Sequence, residues 1–178
     1  MTSLHHLASC ITELRRVDRK DSMDAWREKR KEIVRLLEKA RPLAGIAATR
    51  DGDNFVVTMP AGKYVLGDPG YTVPDAIWTD IIDVINDTGV GFAMWKDTPY
   101  HILGFNTGGD GMMTETTTGK ELGVDAGLMG LVPYDLAVQG GFLSDDKRGM
   151  VVVFDTPTVC YNNSIKTLHF GDFHVTQQ

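Results

Sequence analysis

Two cysteines in 178 residues, Cys10 and Cys160, are too few for the dense disulfide framework that staples small secreted domains. They fall in segments of different type, so both are expected as buried, reduced thiols rather than as a bridge. Long apolar runs are also lacking. The opening MTSLHHLASCITEL interleaves its Leu and Ile with His, Ser, Thr and Glu, which gives neither a signal-peptide core nor the run of about 18 to 20 apolar residues that a membrane span needs. A cytoplasmic protein with no membrane partner is therefore expected. From Ser3 to Ala40 the chain has no glycine and no proline, although it has 19 and 7 of them in all, so the two strongest helix breakers are absent from one segment and concentrated in the remainder.

Several catalytic signatures are missing as well. No Gly-x-Ser-x-Gly elbow is present, and Cys160 lies in the strand-like Thr-Val-Cys-Tyr-Asn, where burial accounts for it. Gly119-Lys120 follows a threonine tract, but the preceding glycine, Gly111, is at the wrong spacing for a P-loop and Glu121 stands where the hydroxyl residue belongs. Gly108, Gly109 and Gly111 lead into a strand-like run rather than a helix, which excludes a dinucleotide fingerprint. The histidines do not make a zinc site. His5 and His6 diverge by about 100° on a helix, and His101 stands alone among apolar residues. If residues 166–175 form one extended strand, His169 points away from Asp172 and His174. No cofactor and no metal are expected.

The net charge of −6 is unevenly divided. Residues 1–50 carry twelve Lys/Arg against seven Asp/Glu, a net of +5, and residues 51–178 carry six against seventeen, a net of −11. The basic part reads as helix: Leu4, Leu7, Ile11 and Leu14 recur at helical spacing, and so do Trp26, Ile33 and Leu37, but in a different frame. A break near Arg19 to Ser22 and an end at Pro42 give a helical pair. The acidic part reads as strands at Phe55 to Met59, Lys63 to Gly67, Gly91 to Trp95, His101 to Phe105, Gly111 to Glu115, Glu121 to Asp125, Leu128 to Val132, Met150 to Phe154, Thr158 to Asn162 and Lys166 to Val175. One helix, opened by Pro74 and carrying Ile77, Trp78, Ile81, Ile82 and Ile85, interrupts them. The expected fold is α+β: a basic helical segment over residues 1–45, then residues 46–178 as a mostly antiparallel β-rich domain, a curved sandwich or partly open barrel with one internal helix.

Three turns embed an aspartate in glycine or proline: Gly67-Asp68-Pro69-Gly70-Tyr71, Gly108-Gly109-Asp110-Gly111 and Val124-Asp125-Ala126-Gly127. Turn chemistry alone selects these residues. If the turns converge on one rim, Asp68, Asp110 and Asp125 offer oxygen ligands or a carboxylate pair for a small metal-dependent hydrolase or lyase. Alternatively the glycine-rich backbone, with Tyr71 or Trp95 as a stacking surface, makes a ligand site of Asp68, Tyr71, Trp95, Gly109, Asp110, Asp125 and Gly127. Nucleic acid is a further candidate partner through Arg15, Arg16, Arg19, Lys20, Arg27, Lys29, Arg30, Lys31 and Arg35, but interspersed Asp and Glu read more simply as a solvated helix face.

In the order and spacing of these three turns, and in the closing Leu168-His169-Phe170-Gly171-Asp172, residues 62–172 resemble a loosely defined group of small uncharacterised bacteriophage proteins. Met112 stands where that group leads one to expect an aromatic after Gly-Asp-Gly. The resemblance implies a compact β-rich fold and a phage accessory role in the host cytoplasm, with counter-defence as one setting, and it supplies no catalytic residues. The reading leans to a non-enzymatic protein that binds a host protein or a small signalling ligand, a nucleotide among the candidates. Leu7, Ile11, Leu14, Trp26, Ile33 and Leu37 are the expected partner-binding or homo-oligomerising surface, and a structural protein assembling through those helices is the remaining alternative.

Overall fold

A computed structural model describes residues 45–51, 54–96, 98–143, 147–164 and 166–177, with isolated positions 28, 31, 32, 35 and 39. Those five positions are helical, and Lys31 Nζ lies 2.7 Å from Glu28 Oε1. The rest of the expected helical pair, with Cys10 and the stripe Leu7, Ile11, Leu14, Trp26, Ile33 and Leu37, lies outside the described residues.

Among the described residues beyond this segment, twelve strands form two sheets in which every neighbouring pair is antiparallel. The seven-stranded sheet takes β1 (Ala47–Asp51), β2 (Asn54–Met59), β10 (Thr158–Ser164), β11 (Thr167–Phe170), β12 (Phe173–Gln177), β6 (Gly111–Glu115) and β7 (Glu121–Val124), in that order. The five-stranded sheet takes β4 (Val90–Trp95), β5 (Thr98–Asn106), β8 (Leu128–Pro133), β3 (Gly62–Gly67) and β9 (Gly149–Phe154). Three helices complete the domain: α1 (Pro69–Thr72), α2 (Asp75–Thr88) and α3 (Tyr134–Gln139). Among the described residues no helix is long and apolar enough to cross a membrane.

Two-residue alternation explains the layering. Along β3, Tyr64 and Leu66 enter the core between the sheets, while Val65 enters a second core beneath the helices. Leu103 and Phe105 against Ile102, and Met129 and Leu131 against Val132, repeat this on β5 and β8. The five-stranded sheet is thus buried on both faces, which is why Leu128–Pro133 is nearly continuous in apolar residues despite its antiparallel pairing. Ile77, Ile81 and Ile85 bury one face of α2 on this sheet, and Gly89 ends the helix at φ 72°, its N–H donating to Ile85 O.

A row of glycines crosses the same sheet near one end. Gly104 N donates to Gly89 O, Gly104 faces Gly130, Gly130 faces Gly67 and Gly67 faces Gly149. Close approach accounts for them: a Cβ on Gly104 would lie 2.5 Å from Ile85 Cγ2, one on Gly67 2.3 Å from Arg148 O, and one on Gly130 1.8 Å from Leu103 O.

The expected strands are all present, with three differences. Residues 47–51, outside the strands expected from sequence, form β1, paired with β2 from Ala47 opposite Thr58 to Asp51 opposite Asn54. Two short helices, α1 and α3, accompany the expected α2. The single strand expected over residues 166–175 is a hairpin that reverses at Gly171, φ 62°. His169 and His174 therefore stand opposite each other, ring centroids 4.6 Å apart, not on opposite faces as an unbroken strand would put them. His169 also stacks on Tyr161 at 4.3 Å. Burial, then the neighbouring His174, hold its imidazole below the ordinary histidine value. Cys160 is fully buried between the sheets, and burial pushes its thiol up to about 12.

Gly130→Ala is expected to cost at least about 3 kcal/mol, the upper end for overpacking, because the obstructing atom is a backbone carbonyl that no rotamer change can move. Urea unfolding of the variant against the parent checks this; a loss of under about 1 kcal/mol would contradict it.

Candidate functional site

Strand direction puts four connections at the glycine-row end of the five-stranded sheet: the β3–α1 turn from Asp68, the β5–β6 turn through Gly108 and Asp110, the β7–β8 turn over residues 125–127, and Lys147 and Arg148 leading into β9. The turns are joined through Asp68. Its carboxylate, fully buried, accepts from Gly70 N on Oδ1 and from Asp125 N and Ala126 N on Oδ2, each at 2.7 Å. Asp68 also caps the short α1, where Pro69 in the first turn has no N–H to satisfy. Burial raises the Asp68 carboxyl above its usual range, and the donors on Ala126, Asp125 and Gly70 offset part of that rise.

The third turn closes onto the second. Thr107 N donates to Gly127 O at 3.0 Å, and the direction in which Gly127 would carry a Cβ meets Gly109 Cα at 3.9 Å. Within the turn, Gly108 N donates to Asn106 Oδ1 and Thr107 Oγ1 to Gly109 O. Gly108, Gly109, Gly111 and Gly127 all have positive φ, which side-chain-bearing residues avoid. Asp110 and Asp125 are exposed.

Tyr71 is partly exposed beside these turns. Its ring edge, Cε2, lies 3.8 Å from where a Cβ would sit on Gly123, a position also 4.0 Å from Met112 Sδ. Desolvation, then the charges of Asp125, Asp68 and Asp110, raise its hydroxyl above the ordinary tyrosine value, with Arg148 acting in the opposite sense. A Cβ on Gly70 would lie 3.0 Å from Ala126 Cβ and 3.4 Å from Trp78 Cζ2.

Of the residues read from sequence as a ligand site, Asp68, Tyr71, Gly109, Asp110, Asp125 and Gly127 thus lie on one rim. Trp95 does not. It faces Thr98 at the β4–β5 hairpin, the far end of the sheet, roughly 20 Å along the strand from Gly89 at about 3.3 Å per residue. There its indole Nε1 donates to Gln139 Oε1 at 2.9 Å. Arg148 was missed from sequence because its neighbours mark only the start of a strand; only the sheet order brings it to the rim. Glu115 was missed too. It is fully buried, and although burial alone pushes its carboxyl up, bonds from Thr118 and Thr117 outweigh this and hold it below the ordinary range, which fixes the β6–β7 turn.

Among the described residues, no three His, Cys, Asp or Glu side chains are placed to hold one metal ion. The N–H groups of Gly70, Asp125 and Ala126, which would otherwise face an incoming anion, are already occupied by Asp68. Comparison of the chain with protein-family models, with curated proteins and with solved structures finds no match.

Asp68→Asn replaces one acceptor oxygen with an NH₂ that faces an N–H, and each stranded buried donor costs about 1–3 kcal/mol. A loss of at least about 2 kcal/mol by chemical denaturation is expected, against less than about 0.5 kcal/mol for the exposed Asp125→Asn. Equal, small effects of the two substitutions would contradict the structural role of Asp68.

Proposed function

We propose that this chain is a non-enzymatic phage accessory protein that binds a host protein or a small signalling ligand on the rim around Tyr71, with counter-defence as one setting. The phage assignment rests on the resemblance of the three turns. The binding assignment rests chiefly on one observation: Asp68 holds two glycine-rich turns together with both carboxylate oxygens while Tyr71, Asp110 and Asp125 stay accessible beside it. A carboxylate engaged in this way shapes a surface and is a poor candidate for metal ligation or proton transfer, which weighs against a hydrolase or lyase built on Asp68, Asp110 and Asp125.

The electrostatics of the rim favour one kind of ligand. Asp68, Asp110 and Asp125 act on Tyr71 in one sense and Arg148 in the other, in a domain whose residues 51–178 carry a net −11. A phosphate would meet these carboxylates unfavourably, and the N–H groups of Gly70, Asp125 and Ala126 are already bonded to Asp68. A lysine or arginine side chain, held between the exposed carboxylates and the Tyr71 face, is the better match, so a basic segment of a host protein is preferred to a nucleotide.

Thermal shift with a short arginine-rich peptide, and separately with mono- and cyclic nucleotides, tests this reading. The expected result is a saturable stabilisation by the peptide that the Asp110→Asn, Asp125→Asn double variant abolishes. A nucleotide shift indifferent to that variant, or a peptide shift that survives it, would overturn the assignment.

A further inference from the structure

Two sheets have four edges, and three are protected in the usual ways. β1 carries the charged Arg50, β7 has only four residues, and β4 is buried through its first four residues. β9 differs. Its six residues, Gly-Met-Val-Val-Val-Phe, contain no charge and no proline, among the described residues it pairs only with β3, and Val153 is 57% exposed. Such an edge is a template for strand addition.

We infer that β9 pairs with β9 of a second copy of this chain, joining two five-stranded sheets across a two-fold axis. An antiparallel pair related by an axis normal to the sheet keeps each residue on its own face, so only residues of the same parity stand opposite each other. In the register centred on Val151, the side chains agree at every odd position. Val151 meets its own copy. Val153 meets Gly149 of the copy, where Val65 Cγ1 and Phe142 Cε2 lie 2.6 and 3.3 Å from where a Cβ would be and supply an apolar floor. Beyond the strand ends, the same register brings the exposed Lys147, whose O accepts from Gly123 N at 3.4 Å, towards the exposed Asp155, and the symmetry does so twice. On the other face Met150, half-buried in a single chain, meets Val152. The charges that flank the strand, Lys147 and Arg148 before it and Asp155 after it, are thus of opposite sign in an antiparallel copy and would oppose like with like in a parallel pair, Arg148 itself standing opposite Phe154. This dimer leaves one Tyr71 rim on each subunit.

Light scattering of the full chain across the micromolar range tests the inference. The parent is expected at twice the 19.6 kDa chain mass. Val153→Lys, at an exposed position that leaves the fold intact, is expected at the single-chain mass. Lys147→Asp is expected to weaken the dimer, and Lys147→Asp combined with Asp155→Lys to restore it. A monomeric parent at every concentration, or a dimer that Val153→Lys leaves intact, would overturn the pairing; a dimer that breaks with Val153→Lys but is not restored by the charge exchange would overturn the register.

Discussion

A buried carboxylate that accepts three backbone N–H bonds organises this domain. The donors, on Gly70, Asp125 and Ala126, belong to the short α1 and to the β7–β8 turn. Without an acceptor such turns would open to water to satisfy their amides. Asp68 replaces that water from within, and because its two oxygens bond to segments more than fifty residues apart in sequence, it ties the start of α1 to the start of β8. The cost is desolvation of a charged group, visible in the raised carboxyl, and it is offset by charge-assisted bonds that are individually stronger than neutral ones.

The row of glycines makes this arrangement reachable. Gly67, directly before Asp68, lies so near Arg148 O and Gly149 that no side chain fits, and Gly130 is equally close to the backbone of β5. The sheet is tightened at the end where its turns must meet. Ile85 of α2 occupies the space over Gly91 and Gly104, so the helix also seats lower there than side chains would allow. The same sheet, apolar on both faces, joins the rim to the core: alternate residues of β3, β5 and β8 serve the two hydrophobic layers, and displacement of one strand would disturb both.

Much of this was legible in the sequence. Runs of Val, Tyr and Phe bounded by Gly and Asp marked the strands, and the Ile77, Ile81, Ile85 spacing marked α2. The mostly antiparallel α+β arrangement followed from the lack of regular βαβ alternation. The turn aspartates were visible too, but not their difference in role: Asp68 and Asp125 sit in similar turn sequences, and only the tertiary approach of residues 125–126 makes one a buried acceptor and leaves the other exposed. Trp95 looked suitable for a stacking surface because aromatic identity says nothing about which end of a sheet a residue occupies; register decides that. The hairpin at Gly171 was hidden for a related reason. Phe-Gly-Asp-Phe reads as strand by composition, and the positive φ of Gly171 that reverses the chain leaves no mark beyond the glycine itself.

The account rests on the Asp68 bonds being closed in solution, and amide hydrogen exchange observes them directly. Asp125 and Ala126 lie in a turn and Gly70 in the first turn of the short α1, where amides ordinarily exchange rapidly; bonded to a buried carboxylate they should exchange only through the larger openings that also release strand amides of β3 and β8. Protection of all three comparable to that of Leu66 and Leu131 is the predicted result. Exchange as fast as that of unbonded amides in exposed turns would show that the rim is not held from within, and would contradict the account.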